Sequence, residues 1–263
     1  MHLSAEVLGD GPPLVLLPWF GLDHSVMAAA CEPALAGSGW RRLYLDLPGT
    51  GGSAPVEPRS DAIVDAAAET IEELAGSSPV AVAGCSYGGY IGAALARRYP
   101  ARITGLLMIC SGVRIRPDDR DLSGVLPSAP EPGWLDDVPA QLRGHFERAV
   151  GYQTRAAADR LAAGFAVNAK SEESYLETLR ASGYQLSDER SAESMDAVLT
   201  VLAGRRDRIV GYRDQFALVV ASRAADYVLL DDVGHYLPFE QPDRFKAAML
   251  GWLARCERAR QPA

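Results

Sequence analysis

Cysteine is scarce in this chain of 263 residues, and its four copies show no regular spacing. No two of them form a CxxC pair, so the sequence predicts neither a zinc site nor a disulfide scaffold. We therefore expect no bound metal and no cofactor. The cysteines are interpreted as small, buried apolar residues: Cys31, Cys85, Cys110 and Cys256.

Long hydrophobic runs and an excess of positive charge are also absent. No segment reaches about 18 consecutive apolar residues, and the opening MHLSAEVLGDGPP lacks the basic and apolar regions of a signal peptide. The chain carries 26 Lys and Arg against 34 Asp and Glu, which argues against nucleic acid or an anionic membrane as the main partner. We expect a cytoplasmic protein whose partner is a small-molecule substrate. Its oligomeric state is not indicated.

Short apolar runs alternate with helical patterns through the first 112 residues and again near the end. This alternation predicts an α/β fold, with a mostly parallel twisted sheet covered by helices on both faces. The HLSAEVLG stretch, the turn signal GDGPP and the strand LVLL together predict an opening hairpin. The predicted strands are LVLL (14–17), RLYLD (42–46), VAVAGC (80–85), GLLMICS (105–111), VLTVLAG (198–204) and DYVLL (226–230), and the predicted helices are 60–75, 87–99, 212–223 and 241–256.

The strand signal disappears from residue 113 to about residue 196, where helical patterns follow a proline-rich start. We interpret 113–196 as a helical cap inserted between two halves of one core domain, 1–112 and 197–263. Within the cap, Ser171 precedes two glutamates. A serine followed by acidic residues is typical of a helix start, so Ser171 is the predicted N-cap.

The stretch AGCSYGGY (83–90) stands between a predicted strand and a predicted helix. A GxSxG pattern is weak alone, but in this context the chain must reverse sharply at Ser86. Such a turn leaves no room for side chains at Gly84 and Gly88. We therefore expect the Ser86 hydroxyl to project at the carboxyl end of the sheet.

On these residues the chain resembles the α/β-hydrolases over about 1–112 and 197–256. The order in that family is nucleophile, acid, histidine. LAGRRDRIV supplies Asp207 after a strand, DDVGHYLPFEQPDRF supplies His235, and DLPGTGGS (46–53) is also typical. The resemblance implies that His235 takes a proton from Ser86 and that Asp207 orients the imidazole ring.

The same resemblance implies an oxyanion hole made by two backbone N–H groups, those of Tyr87 and Phe20. Most relatives read His-Gly-x-Gly where this chain reads PWFG (18–21). In one interpretation Pro18 makes the strand exit rigid and Trp19 forms a wall of the pocket. In the other, the loop has lost its donor geometry and the protein binds a ligand or performs a rearrangement.

We expect hydrolysis of a carboxylic ester or lactone of a small to medium apolar substrate through an acyl-enzyme on Ser86. A C–C bond hydrolase, a thioesterase and an acyl-transfer or cyclisation enzyme would use the same residues. A ligand-binding protein without hydrolytic activity is the alternative of another class. The predicted substrate contacts are Trp19, His24 and Trp134.

Overall fold

The computed structural model describes residues 2–169, 171–189 and 194–260. These residues form one seven-stranded sheet in the order β1-β3-β2-β4-β5-β6-β7, in which only β1 runs antiparallel to its neighbour. The predicted α/β class is confirmed. The strands are β1 (Ala5–Leu8), β2 (Pro13–Leu17), β3 (Arg41–Leu45), β4 (Val80–Cys85), β5 (Ile103–Ile109), β6 (Val198–Gly204) and β7 (Ala225–Leu230).

Helices cover both faces of the sheet. The predicted helices are present, and three further ones follow between β5 and β6 in chain order. The helices are α1 (His24–Leu35), α2 (Ser60–Ala75), α3 (Tyr87–Arg98), α4 (Ala140–Ala149), α5 (Arg155–Ala166), α6 (Glu173–Thr178), α7 (Asp214–Ala221), α8 (Leu237–Glu240) and α9 (Pro242–Arg260). No helix in the described part of the chain is both long enough and apolar enough to cross a membrane.

Two details differ from the sequence predictions. The predicted opening hairpin is wrong, because β1 pairs with β3 and β2 lies beyond β3. The sheet buries β2 between two parallel neighbours, which suits its uninterrupted apolar run. Ser171 is not an N-cap. Its hydroxyl donates to the Gly21 carbonyl, and α6 begins two residues later.

Helix α1 was not predicted. It begins because the Asp23 carboxylate accepts the N–H groups of Ser25 and Val26, which lack partners within the helix. Its apolar residues carry only a weak helical periodicity, since both its sheet-facing and outward sides contain alanine.

Successive residues of the central strands point to opposite faces, so each face has its own apolar core. In β2, Leu14 and Leu16 pack with α1 and α9, whereas Val15 and Leu17 pack with α2 and α3. Burial on both faces fixes the register of the strands. The loops at their carboxyl ends are therefore held at defined positions, and these loops carry the predicted site residues.

Candidate active site

Ser86 lies at the sharp turn where β4 ends and α3 begins. Its φ of 52° and ψ of −116° are rarely adopted by residues with a side chain. A Cβ on Gly84 would come within 2.4 Å of the Gly88 backbone, and one on Gly88 within 2.3 Å of the Leu17 carbonyl oxygen. Both positions therefore require glycine. The Ser86 N–H donates to the Ile109 carbonyl at 2.9 Å, which helps to hold this strained turn.

The imidazole of His235 lies between Ser86 and Asp207. Its Nε2 is 2.9 Å from Ser86 Oγ, and its Nδ1 is 2.9 Å from Asp207 Oδ2. The other oxygen of the buried Asp207 carboxylate accepts the N–H groups of Ile209 at 2.8 Å and Val210 at 3.1 Å. An ionised carboxylate only accepts hydrogen bonds, so Nδ1 of the neutral ring donates and Nε2 is left to accept from the Ser86 hydroxyl.

The other candidate acids lie elsewhere. Asp231 pairs with Arg205 at 2.9 Å and Asp232 with Arg244 at 3.3 Å, both at the surface. Arg205 thus points away from its neighbour Asp207. The structure brings Asp207, and neither of these two aspartates, into hydrogen-bond contact with the His235 ring.

Glu240 binds the backbone of the loop that carries His235. Its buried carboxylate accepts the N–H groups of Gly234 at 2.9 Å and Tyr236 at 3.0 Å, on either side of the histidine. It also accepts the N–H groups of Gly151 and Tyr152, each at 2.8 Å, from the segment between α4 and α5. Burial raises the pKa of Glu240 to about 7, against the opposing effect of these four donors. Sequence reasoning missed this residue.

Trp19 and Phe20 follow β2 and line the cavity that contains Ser86 and His235. The Trp19 indole is 2% exposed, its N–H donates to the His235 carbonyl at 3.5 Å, and its ring packs on Tyr236 with centroids 5.5 Å apart. Trp19 thus joins the strand exit to the loop that carries the histidine. This contact accounts for a large aromatic at a position where most relatives have glycine.

Phe20 packs against the opposite side of the turn. Its ring meets the Tyr87 ring edge to face at 5.3 Å, so the two predicted oxyanion residues lie side by side. Tyr87 is the first residue of α3, and the first N–H groups of a helix have no partner within it. Within the described residues, neither the Phe20 nor the Tyr87 amide donates to another protein group.

The cavity has a volume of about 280 Å³, near the lower end for small-molecule pockets. Ser86 is half-buried at its wall, so its hydroxyl is accessible. Burial and the positive charges nearby lower the pKa of His145, which bonds the Tyr236 hydroxyl at 2.7 Å. The polar and charged lining residues that were not predicted as substrate contacts are Arg116, Arg120, His145, Arg180, Tyr184 and Tyr236.

Two predicted substrate contacts lie outside this cavity. His24 begins α1, where both its backbone N–H and its Nδ1 bond the buried Asp46 carboxylate at 2.7 and 2.8 Å. Trp134 is buried in the apolar core with Val138 and Phe146. His24 and Trp134 do not line this cavity, so their role as substrate contacts stays a prediction. Trp19 is the one of the three that lines it.

Clusters of metal-ligating side chains do not occur within the described ranges of the chain. The polar groups assembled at Ser86 are a hydroxyl, an imidazole and a buried carboxylate, together with two neighbouring amides. Groups of these types can take part in proton transfer and nucleophilic attack.

The chain is similar to known proteins in sequence and in structure. A curated relative, the pimeloyl-[acyl-carrier protein] methyl ester esterase of Chromobacterium violaceum, is 34% identical over 148 residues, 56% of this chain and 54% of that protein. The match thus spans about half the length of that relative. Further curated matches, from Shewanella, also carry this name and are covered to a smaller extent.

Solved structures resemble nearly the whole chain. An alpha/beta superfamily hydrolase from Oenococcus oeni PSU-1 has a TM-score of 0.88 at 24% identity, over 97% of each chain. A thermophilic esterase from Thermogutta terrifontis has a TM-score of 0.70 at 22% identity, over 97% of this chain and 93% of that one. The sequence model of the alpha/beta hydrolase family matches residues 14–248. This chain therefore belongs to the alpha/beta hydrolase family.

Proposed function

We propose that this chain hydrolyses carboxylic esters through an acyl-enzyme on Ser86. The observation that carries the proposal is the series of hydrogen bonds from Asp207 through His235 to Ser86, each 2.9 Å between heavy atoms, at the end of a strained strand-to-helix turn. The curated relatives named as esterases support the same reaction class.

In the first half of the reaction, Ser86 Oγ attacks the ester carbonyl carbon while its proton passes to His235 Nε2. Asp207 stabilises the imidazolium that forms. The tetrahedral intermediate then collapses, the bond to the alkoxy group breaks, and His235 returns the proton to the leaving alcohol. In the second half, a water molecule attacks the acyl carbon with His235 again as the base, and Ser86 leaves as the hydroxyl.

The negative charge on the carbonyl oxygen would be stabilised by the N–H groups of Tyr87 and Phe20. Both are without a protein acceptor in the described chain, and their side chains pack together beside Ser86. One such donor contributes roughly 10²–10³ to kcat. Residues 113–196 would act as a lid, because Arg116, His145 and Arg180 from this segment line the cavity.

The experiment is labelling with a serine-directed fluorophosphonate, followed by steady-state kinetics on methyl and p-nitrophenyl esters. We expect one label per chain on Ser86 by peptide mass spectrometry, and ester turnover that is lost in Ser86→Ala. The exposed serine Ser123 provides the control variant Ser123→Ala, which should keep full activity. A wild-type protein that neither takes the label nor turns over any ester would overturn the proposal.

A further inference from the structure

Three arginines line the cavity that contains Ser86: Arg116, Arg120 and Arg180. We call them the arginine wall. Among the described residues that line this cavity there is no acidic side chain. This contrasts with the whole sequence, in which acidic residues outnumber basic ones by 34 to 26. Positive charge is thus concentrated at one site of an acidic protein.

Arg120 is fixed in place by the backbone. Its guanidinium donates to the carbonyl oxygens of Arg114 at 3.2 Å, Ile209 at 2.7 Å and Ile115. A guanidinium has five N–H donors, so these three bonds do not use all of them. None of its acceptors carries a charge, and the positive charge of Arg120 is therefore held at the cavity without neutralisation.

Arg180 reaches the cavity from a different segment of the chain than Arg120 does. Its guanidinium carbon is 4.5 Å from the centre of the Phe20 ring, so the cation lies over the face of this ring. Arg120 and Arg180 approach the same Tyr184 side chain, where both oppose the rise that burial causes in the pKa of its hydroxyl. Charges from two distant chain segments thus converge on one corner of the cavity.

The arginine wall differs in its ion pairing from three arginines at the surface. Arg98, Arg205 and Arg255 form ion pairs with carboxylates at the surface. Within residues 2–169, 171–189 and 194–260, no carboxylate pairs with a member of the arginine wall. Three guanidinium groups around a small cavity repel one another, and an anion bound there would relieve this repulsion.

We propose that the cavity binds an anionic group, a carboxylate or a phosphate-like group, on the substrate that Ser86 attacks. The inference rests on the proposed function for the reaction, and it replaces the expectation of a purely apolar substrate. Guanidinium groups bind both kinds of oxyanion through two parallel hydrogen bonds. The volume of about 280 Å³ favours a short acid that carries both the anion and the ester.

The test compares matched methyl esters that differ only at the far end. Monomethyl glutarate carries a carboxylate, methyl glutaramate carries a neutral amide of the same shape, and methyl 4-phosphonobutanoate carries a phosphonate. We expect kcat/KM to be at least about tenfold higher for an anionic ester than for the amide, mainly through KM. Comparison of the two anionic esters distinguishes carboxylate from phosphate recognition.

Single substitutions in the arginine wall should remove this preference. Arg180→Gln and Arg116→Gln act at exposed residues, so the fold is expected to persist. Each should lower the ratio of anionic to neutral kcat/KM by about tenfold. The matched control is Arg258→Gln on α9, an exposed arginine outside the cavity, which should leave the ratio unchanged. Raising the salt concentration should lower the ratio in the wild type.

A binding measurement separates this proposal from the proposed reaction. In the Ser86→Ala protein, calorimetry should show glutarate binding at least about tenfold more tightly than glutaramide, whether or not the wild type turns over esters. Turnover of neutral esters with no preference for the anion, and equal binding of glutarate and glutaramide, would overturn the arginine-wall proposal and leave the reaction intact. A preference for glutarate without turnover of any ester would support anion binding and overturn the reaction.

Discussion

The loop that carries His235 and the arginine wall lie on the same cavity but differ in how far their polar groups are already bonded. Around His235, both ring nitrogens, the ring-orienting carboxylate and the flanking amides have protein partners at 2.7–3.1 Å. In the arginine wall, Arg116 and Arg180 are exposed and have no carboxylate partner in the described chain. The first region is built to hold a fixed geometry, and the second has free donors for a ligand.

The largest effect is expected when His235 is replaced. His235→Gln should lower kcat for methyl esters by on the order of 10⁶, because in the described part of the chain Ser86 Oγ hydrogen-bonds only to His235. Active-site titration with a fluorophosphonate and steady-state kinetics measure the effect.

His2→Gln is the matched control for this variant. The His2 side chain is exposed and pairs with Glu73. Neither residue lines the cavity, so the loss of His2 should leave kcat unchanged. A His235→Gln enzyme that keeps a tenth of the wild-type rate would show that the proton goes elsewhere.

The next effect concerns Glu240. Glu240→Gln replaces one carboxylate oxygen with an NH₂ group, which must face at least one of the four N–H groups that the carboxylate accepts. A buried donor without a partner costs about 1–3 kcal/mol of stability. Displacement of His235 by about 1 Å would lower kcat by roughly 10²-fold with little change in KM.

Urea unfolding together with separate kcat and KM values tests this effect. Asp159→Asn, an exposed carboxylate on α5, is the control and should change neither. Unchanged kcat in a Glu240→Gln protein that is less stable would mean that Glu240 supports the fold without positioning the histidine.

The pH dependence of stability gives a finer distinction. The pKa of Glu240 is raised to about 7 from 4.5, so the native protein holds this proton more strongly than the unfolded chain. The resulting stability is fully present below about pH 4.5 and is lost as the pH rises through about 7. The difference in unfolding free energy between wild type and Glu240→Gln should therefore change across this window, as measured by urea unfolding at pH 4.5, 6 and 8. A constant difference would contradict the raised pKa.

Much of the fold, and the part of the site formed by Ser86, Asp207 and His235, could be predicted from the sequence, because short stretches of sequence indicate them. The glycines around Ser86 are required by contacts with neighbouring backbone. Asp207 and His235 stand in loops after strands, where the resemblance to the α/β-hydrolases placed them. The arginine wall has no such signal. Arg180 stands in a helical pattern like any surface arginine, and its position over Phe20 depends on how residues 113–196 pack on the core. Glu240 was missed because its partners are backbone amides, which the sequence does not distinguish.

The smallest effect is expected at Trp19, which follows β2 and contacts the loop that carries His235. Trp19→Phe keeps an aromatic ring against Tyr236 but removes the indole N–H that bonds the His235 carbonyl at 3.5 Å. This bond is long, so its loss should cost about 0.5 kcal/mol, a two- to threefold fall in kcat. Trp134→Phe, at a buried tryptophan outside the cavity, should leave kcat unchanged, and stopped-flow measurement of acylation resolves effects of this size. If Trp19→Phe instead reduced kcat as strongly as Glu240→Gln, the histidine would depend on the strand exit as much as on its own loop, and the rigid region would have to include residues 18–21.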